Sequence, residues 1–150
     1  MVPLNFWLFA EWLIENKKCP EGFRSSVSRA YYGALHTALQ FLEEMGIYIP
    51  STDNKHDRVP DLLQHSGDAE LIKTGERLKN LREERNRADY RLGDRDVEAE
   101  AFAKLRLQDA KNIISGINNC LTTKGKPNGR FELVRQLARK RADFLMRGIS

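Results

Sequence analysis

The chain has 150 residues, 41% of them hydrophobic, only five prolines, and a net charge of +4 from 25 basic and 21 acidic side chains. That suits one domain with a sizeable core and argues against a disordered polymer. Cys19 and Cys120 need not meet in space, and no CxxC or Cys/His cluster offers a structural zinc site.

Taken in chain order, residues 4–17 have helical spacing, with Leu4, Trp7, Leu8 and Glu11 expected on one side. Pro20 and Gly22 are expected to break this segment. The opening MVPLNFWLFAEWL has no basic leader and is interrupted by Glu11, so it reads poorly as a signal peptide. Residues 23–45 form the clearest helix, with Val27, Ala30, Tyr31, Ala34, Ala38, Phe41, Leu42 and Met45 in phase and Gly46 at its end. Small Gly33 and Ala34 would let a neighbouring helix approach closely. Residues 46–68 predict a loop with one short helix near Asp61–His65. Asp68 is a candidate cap for a helix running to about Leu92.

Gly93 marks a break, and a further helix is expected from about Val97 to Leu121. Its stripe is Ala99, Ala103, Leu107, Ala110, Ile114, Ile117 and Leu121. TTKGKPNGR, residues 122–130, has linker composition. A last amphipathic, basic helix is expected over about 131–146, with Phe131, Val134, Ala138, Ala142 and Leu145 on one face. No strand pattern and no run of 18 apolar residues is present. The expected fold is all-α: an antiparallel helical bundle over 1–122, a linker at 123–130, and a basic C-terminal helix within 131–150, packed on the same domain or across a dimer.

The charge is unevenly spread. Residues 77–95 carry seven basic and four acidic groups, and residues 124–150 carry eight and two, which leaves the remainder net negative. Such a distribution permits a positive surface for polyanions, and equally a set of solubilising helix faces. Within LREERNRADYR, residues 81–91, Arg85 falls in the stripe formed by Leu71, Leu78, Leu81, Ala88 and Leu92, with Arg82 and Asp89 flanking it. A charge on a buried face needs a partner. Asp89, four residues on, supplies one, giving an internal ion pair. The other reading is that Arg85 meets a cleft or dimer axis and grips a phosphate, for which the guanidinium fork is suited.

Arg29, Tyr32 and His36 lie along one side of the second helix and are candidates to line the same groove. The spacing of His56 and His65 is not a metal signature. No GxGxxG, P-loop, GxSxG or paired-carboxylate signature occurs, so no cofactor and no metal is expected.

Three stretches in order, RSSVSRAYYGALHTAL (24–39), NKHDRVPDLL (54–63) and REERNRADYR (82–91), resemble the HEPN domain family. The likeness is to the small helical members that resemble the partners of minimal nucleotidyltransferases. It covers roughly residues 5–121 and omits the basic tail. It implies a homodimer in which two copies of a motif face each other. That motif is an arginine, usually a polar residue, then a histidine after four to six positions.

Carried onto this chain, Arg85 matches the arginine and Asn86 the polar residue. Tyr90 stands where the histidine would be, and no histidine occurs from 66 to 150. A phenol is mostly protonated at neutral pH, so Tyr90 can donate but is a poor base. By helix phase Tyr90 points roughly 140° from Arg85. His36 is the candidate to replace the missing base. The resemblance therefore implies a cytoplasmic dimeric interaction protein, an RNA binder or the partner of a nucleotidyltransferase in a toxin–antitoxin or defence-type system. Its phosphate-binding set would be Arg29, Arg82, Arg85 and Arg87. The alternative it implies is a metal-independent endoribonuclease using Arg85, Asn86, Tyr90 and His36.

Overall fold

The computed structural model describes residues 1–120, 122–123, 126–127 and 129–147. The fold is all-α. Its helices are α1 (Leu4–Asn16), α2 (Pro20–Glu44), α3 (Lys55–Gln64), α4 (Ala69–Tyr90), α5 (Glu100–Cys120) and α6 (Gly129–Met146). A 3-10 turn, Asp96–Glu98, leads into α5. Among the described residues, no helix is long and apolar enough to cross a membrane.

α2 is the central element, packed against α1, α4 and α5. Its sequence explains this. Val27, Ala30, Tyr31, Ala34, Leu35 and Ala38 are all fully buried, so neighbours cover much more than one stripe. Pro20 does not lie in a break but starts α2, where its missing N–H costs nothing. Gly46 ends the segment with a φ of +78°, a conformation glycine adopts without strain. At Gly33 a Cβ would stand 3.2 Å from the Trp7 backbone nitrogen, so the absence of a side chain lets α1 seat closely on α2.

The buried side of α1 differs from the expected one. Trp7, Ala10, Leu13 and Ile14 face inward, whereas Leu4 and Leu8 are nearly half exposed. The Trp7 indole N–H donates to the Leu107 carbonyl of α5 at 2.9 Å, which fixes the rotation of α1 about its axis.

Residues 55–64 form a full helix where the sequence suggested mostly loop. The Asn54 side chain accepts from the His56 N–H at 3.0 Å and caps it. Pro60, which argues for a break, is accommodated inside α3. Gly75 of α4 sits against that helix: a Cβ there would meet the Pro60 carbonyl oxygen at 2.9 Å. Asp68 caps α4 as expected, accepting from the Leu71 N–H at 3.1 Å.

α4 stops at Tyr90, and Leu92 leaves the predicted stripe to stand 76% exposed. The physical cause is Arg24 of α2. Its guanidinium donates to the carbonyl oxygens of Ala88 (2.9 Å), Arg91 (3.2 Å), Leu92 (3.3 Å) and Asp94 (2.7 Å), and to Glu98 Oε1 at 3.0 Å. Carbonyls at and just past the helix end are collected by one cation, which also complements the negative end of the helix dipole.

α6 lies against α3. Val134, Ala138 and Leu145 are buried, and Arg141 makes a two-pronged contact with Asp61 at 3.0 and 3.1 Å. Ala142 is partly buried beside them. The Phe131 side chain and Leu121 lie outside the described residues. Within the expected linker, Thr122–Thr123 pairs antiparallel with Lys126–Pro127, Thr122 opposite Pro127. Residues 124, 125 and 128 lie outside the described residues, and Gly129 and Arg130, expected in the linker, already belong to α6.

Candidate functional site

Arg85 projects from α4 into the angle between α2 and α3, with its side chain 11% exposed. Nη2 donates to the Tyr32 hydroxyl at 2.6 Å and Nη1 to Asn86 Oδ1 at 3.1 Å. Nε lies 2.9 Å from Asp89 Oδ2, close enough for an ion pair, but its N–H is not aimed for a hydrogen bond. Ser28 Oγ donates to the same Asp89 oxygen at 3.1 Å. The expected Arg85–Asp89 pair is therefore present. With the Asp89 side chain a quarter exposed, it is an ion pair at the edge of the core. A guanidinium has five N–H donors, and the two hydrogen bonds described leave others to meet an anion.

Aromatic rings surround this charge. The Arg85 Cζ lies 5.6 Å from the Tyr31 ring centroid, 5.1 Å from Tyr32 and 5.5 Å from Tyr90. Such contacts hold a cation without neutralising it. The Tyr90 contact corrects the helix-phase expectation. A wheel tracks the Cβ direction, but an arginine side chain is long enough to fold along the helix and reach a residue five positions on. Tyr90 itself is 70% exposed.

His56, at the start of α3, is the residue that sequence reasoning left out of the site. Its Nδ1 lies 2.7 Å from the Tyr31 hydroxyl and its ring stacks on Tyr31 at 5.7 Å. Burial holds the His56 imidazole below its ordinary range, and Arg85, Arg82 and Lys55 push the same way against the opposing Asp57. Tyr31 is fully buried, and burial raises its phenol far above the usual range despite Arg82 and Arg85. The buried Tyr31 hydroxyl has no other acceptor among the described contacts, so it is assigned as the donor to Nδ1, and the neutral ring then carries its proton on Nε2. His56 then offers an N–H outward, as Arg85 and Arg82 do. The only signal in the sequence was the NKHD stretch itself, with an asparagine positioned to cap a helix that begins with the histidine.

Arg82, one turn before Arg85, pairs with Asp57 of α3, whose side chain is 63% exposed. Arg29 lies over the rings of Tyr32 (5.1 Å) and Phe6 (5.8 Å). His36 does not reach Arg85. It packs against Phe6 at 5.2 Å and Tyr32 at 6.1 Å, and those two rings also meet each other at 6.3 Å, so the three form a cluster whose Tyr32 member touches Arg85. Burial, then Lys55, lowers the His36 pKa.

Arg87 is not part of the cluster. It pairs with Glu84 at 2.8 Å and Asp94 at 2.7 Å, and lies over the Phe102 ring of α5, so it serves the α4–α5 contact instead. No group of side chains able to hold a metal ion occurs among the described residues. The arrangement can thus present two guanidiniums and an imidazole N–H to one anion, beside a wall of rings.

Comparison with protein-family models, with curated proteins and with solved structures gave no match to this chain.

Proposed function

We propose that this chain is a HEPN-like dimeric interaction protein that binds single-stranded RNA through Arg82, Arg85 and His56. The observation that carries the reading is the convergence of these three donors from α3 and α4 next to Tyr31 and Tyr32. Phosphate oxygens accept from exactly such N–H groups, and arginine can offer two parallel donors at once. Adjacent rings give bases a surface to stack on without sequence demands. Asp57 and Asp89 hold the arginines in place when no phosphate is bound, and Asp57, itself held by the Asn54 amide at 2.8 Å, is the more exposed of the two. The dimer and a nucleotidyltransferase partner are inferred from the resemblance of the three motif stretches. With that partner, Tyr90 is the accessible hydroxyl beside the motif.

The second reading is a metal-independent endoribonuclease. It is favoured by His56, which brings to Arg85 an imidazole that the motif stretch lacks. Cleavage needs a base for the 2′-hydroxyl and an acid for the leaving oxygen. With Nδ1 accepting from Tyr31, neutral His56 stabilises charge on the phosphorus rather than removing a proton. Binding therefore ranks ahead of cleavage.

The test is a single-stranded RNA pool incubated in EDTA with wild type, Arg85→Ala and His56→Gln. Size-exclusion chromatography with light scattering reports the oligomeric state of each. Binding without cleavage, lost in Arg85→Ala, supports the first reading. Cleavage lost in both variants replaces it with the second. RNA binding that survives Arg85→Ala rejects this site.

A further inference from the structure

Beyond Arg85 the aromatic surface continues as a cluster. Tyr32, His36, one turn on along α2, and Phe6 of α1 each lie within 6.3 Å of the other two, with Phe6 and His36 near parallel at 14°. Past that pair is an open cavity of about 580 Å³ between the start of the chain and α2, its lining including Met1, Phe6, His36, Leu39, Gln40 and Glu43. Its size is in the range of small-ligand pockets. Its wall is aromatic and aliphatic, and its polar groups are a carboxamide and a carboxylate from the exposed side of α2. Arg29 lies over Phe6 and Tyr32, so positive charge runs beside the rings from the cavity to Arg85.

A flat stacking face, a polar rim and an adjoining line of guanidiniums are what a nucleotide needs: a place for the base and a place for its phosphate. His36 backs Phe6 as an uncharged ring, since burial and Lys55 both disfavour its protonation. Glu43 decides the base. An ionised carboxylate only accepts hydrogen bonds, at two adjacent oxygens. Among the four RNA bases, guanine alone sets two N–H donors side by side on its pairing edge. Adenine, cytosine and uracil each place an acceptor there, which would face the carboxylate unpaired.

Resting on the phosphate reading above, we propose that this cavity is a base subsite of the same RNA-binding surface, selective for guanine. The base stacks on Phe6, which His36 backs on its other face, with its pairing edge toward Glu43. The strand runs past Tyr32 to place a phosphate at Arg82 and Arg85.

The experiment is fluorescence anisotropy with two oligouridylates of equal length, one carrying a single guanine and the other a single adenine at the same position. Wild type is expected to favour the guanine strand roughly tenfold, the range of one two-pronged base contact. Glu43→Gln, an exposed change that leaves the core untouched, should bring that ratio close to one. Phe6→Leu should weaken both strands. Arg85→Ala should weaken both equally and keep the ratio. Equal binding of the two strands by wild type, or a ratio that survives Glu43→Gln, overturns the subsite while Arg85-dependent binding keeps the phosphate reading. If neither strand binds to wild type, the phosphate reading and the subsite fall together.

Discussion

The hydroxyl of Tyr31 lies 2.7 Å from Nδ1 of His56, a contact made between residues 25 positions apart. It ties the buried middle of α2 to the first turn of α3, and it selects which imidazole nitrogen is left to meet a ligand. A phenol that burial keeps protonated has one proton to give, and Nδ1 is its acceptor.

His56 therefore makes RNA binding pH-dependent, with a definite sign. Burial, Arg85, Arg82 and Lys55 hold it neutral, against Asp57. A bound phosphate adds negative charge, favours the imidazolium and raises its pKa in the complex. By linkage, affinity should rise as pH falls from neutral toward the lowered pKa of the unbound His56. Anisotropy titrations across that range check this, and His56→Gln should flatten the profile. A profile that is unchanged in His56→Gln would assign the titration to another group. Stability moves the opposite way. His56 and His36 both have folded pKa values below the ordinary one, so the unfolded chain takes up protons first. The fold should lose stability as pH drops from about 6.5 toward those lower values, and be insensitive to these two groups above it.

Arg85 should not be replaceable by lysine. Its two terminal nitrogens are held by different partners, Tyr32 and Asn86, and its plane rests against three rings. An ammonium keeps the charge but cannot span those contacts or present two parallel donors. Arg85→Lys is expected to lose most of the RNA affinity that Arg85→Ala loses, on the order of tenfold or more for a charge-assisted contact. Arg85→Ala should also reduce the salt slope by about 0.7, the value for one phosphate on a single strand. Full binding by the lysine variant would mean that only the charge matters at this position.

Much of this was legible in the sequence, and the reasons for the rest are physical. The long helices follow from periodic apolar residues, and the Arg85–Asp89 pair follows from their four-residue spacing and the cost of an unpartnered charge. The rotation of α1 was not legible, because Leu4 and Leu8 have the same spacing as a buried face. Only the Trp7 hydrogen bond to α5 decides which side turns inward. α3 was obscured because its buried apolar residues, Val59, Leu62 and Leu63, cover barely one turn and set up no periodic stripe. With α3 read as mostly loop, His56 had no fixed position from which to meet Arg85. Arg24 was quoted only as the first residue of a motif stretch. Its role depends on where the end of α4 arrives, 64 residues later at Ala88.

That role makes Arg24 a keystone for the motif helix. Its side chain is 11% exposed and collects carbonyls from Ala88 to Asp94 as well as Glu98. Arg24→Ala strands those acceptors and removes the partner of a largely buried carboxylate. The expected cost is about 3–5 kcal/mol, as for breaking other buried ion pairs. That corresponds to a fall in Tm of roughly 10 °C for a domain of this size. Thermal denaturation followed by circular dichroism checks it. Arg24→Lys should recover only part of the loss, because an ammonium has three donors from a single nitrogen. A fall of no more than a degree or two in Arg24→Ala would show that the α4 terminus is held by its other contacts.

The basic C-terminal segment poses a choice between packing and RNA contact, and α6 allows the two to be separated. Removing residues 124–150 would uncover the face of α3 and the end of α2 where Val134, Ala138 and Leu145 are buried and where Arg141 holds Asp61. Such a truncation should lower Tm and RNA affinity together, so it cannot distinguish the two roles. Arg139 and Lys140 are exposed on the same helix. Changing both to glutamate leaves the buried side chains in place, and surface changes of this kind usually move stability by no more than about 0.5 kcal/mol. If α6 contacts phosphates, the pair should weaken RNA binding and flatten its dependence on salt while Tm stays put. If the salt slope is unchanged, α6 is a packing element, and the positive surface for RNA is confined to Arg29, Arg82 and Arg85.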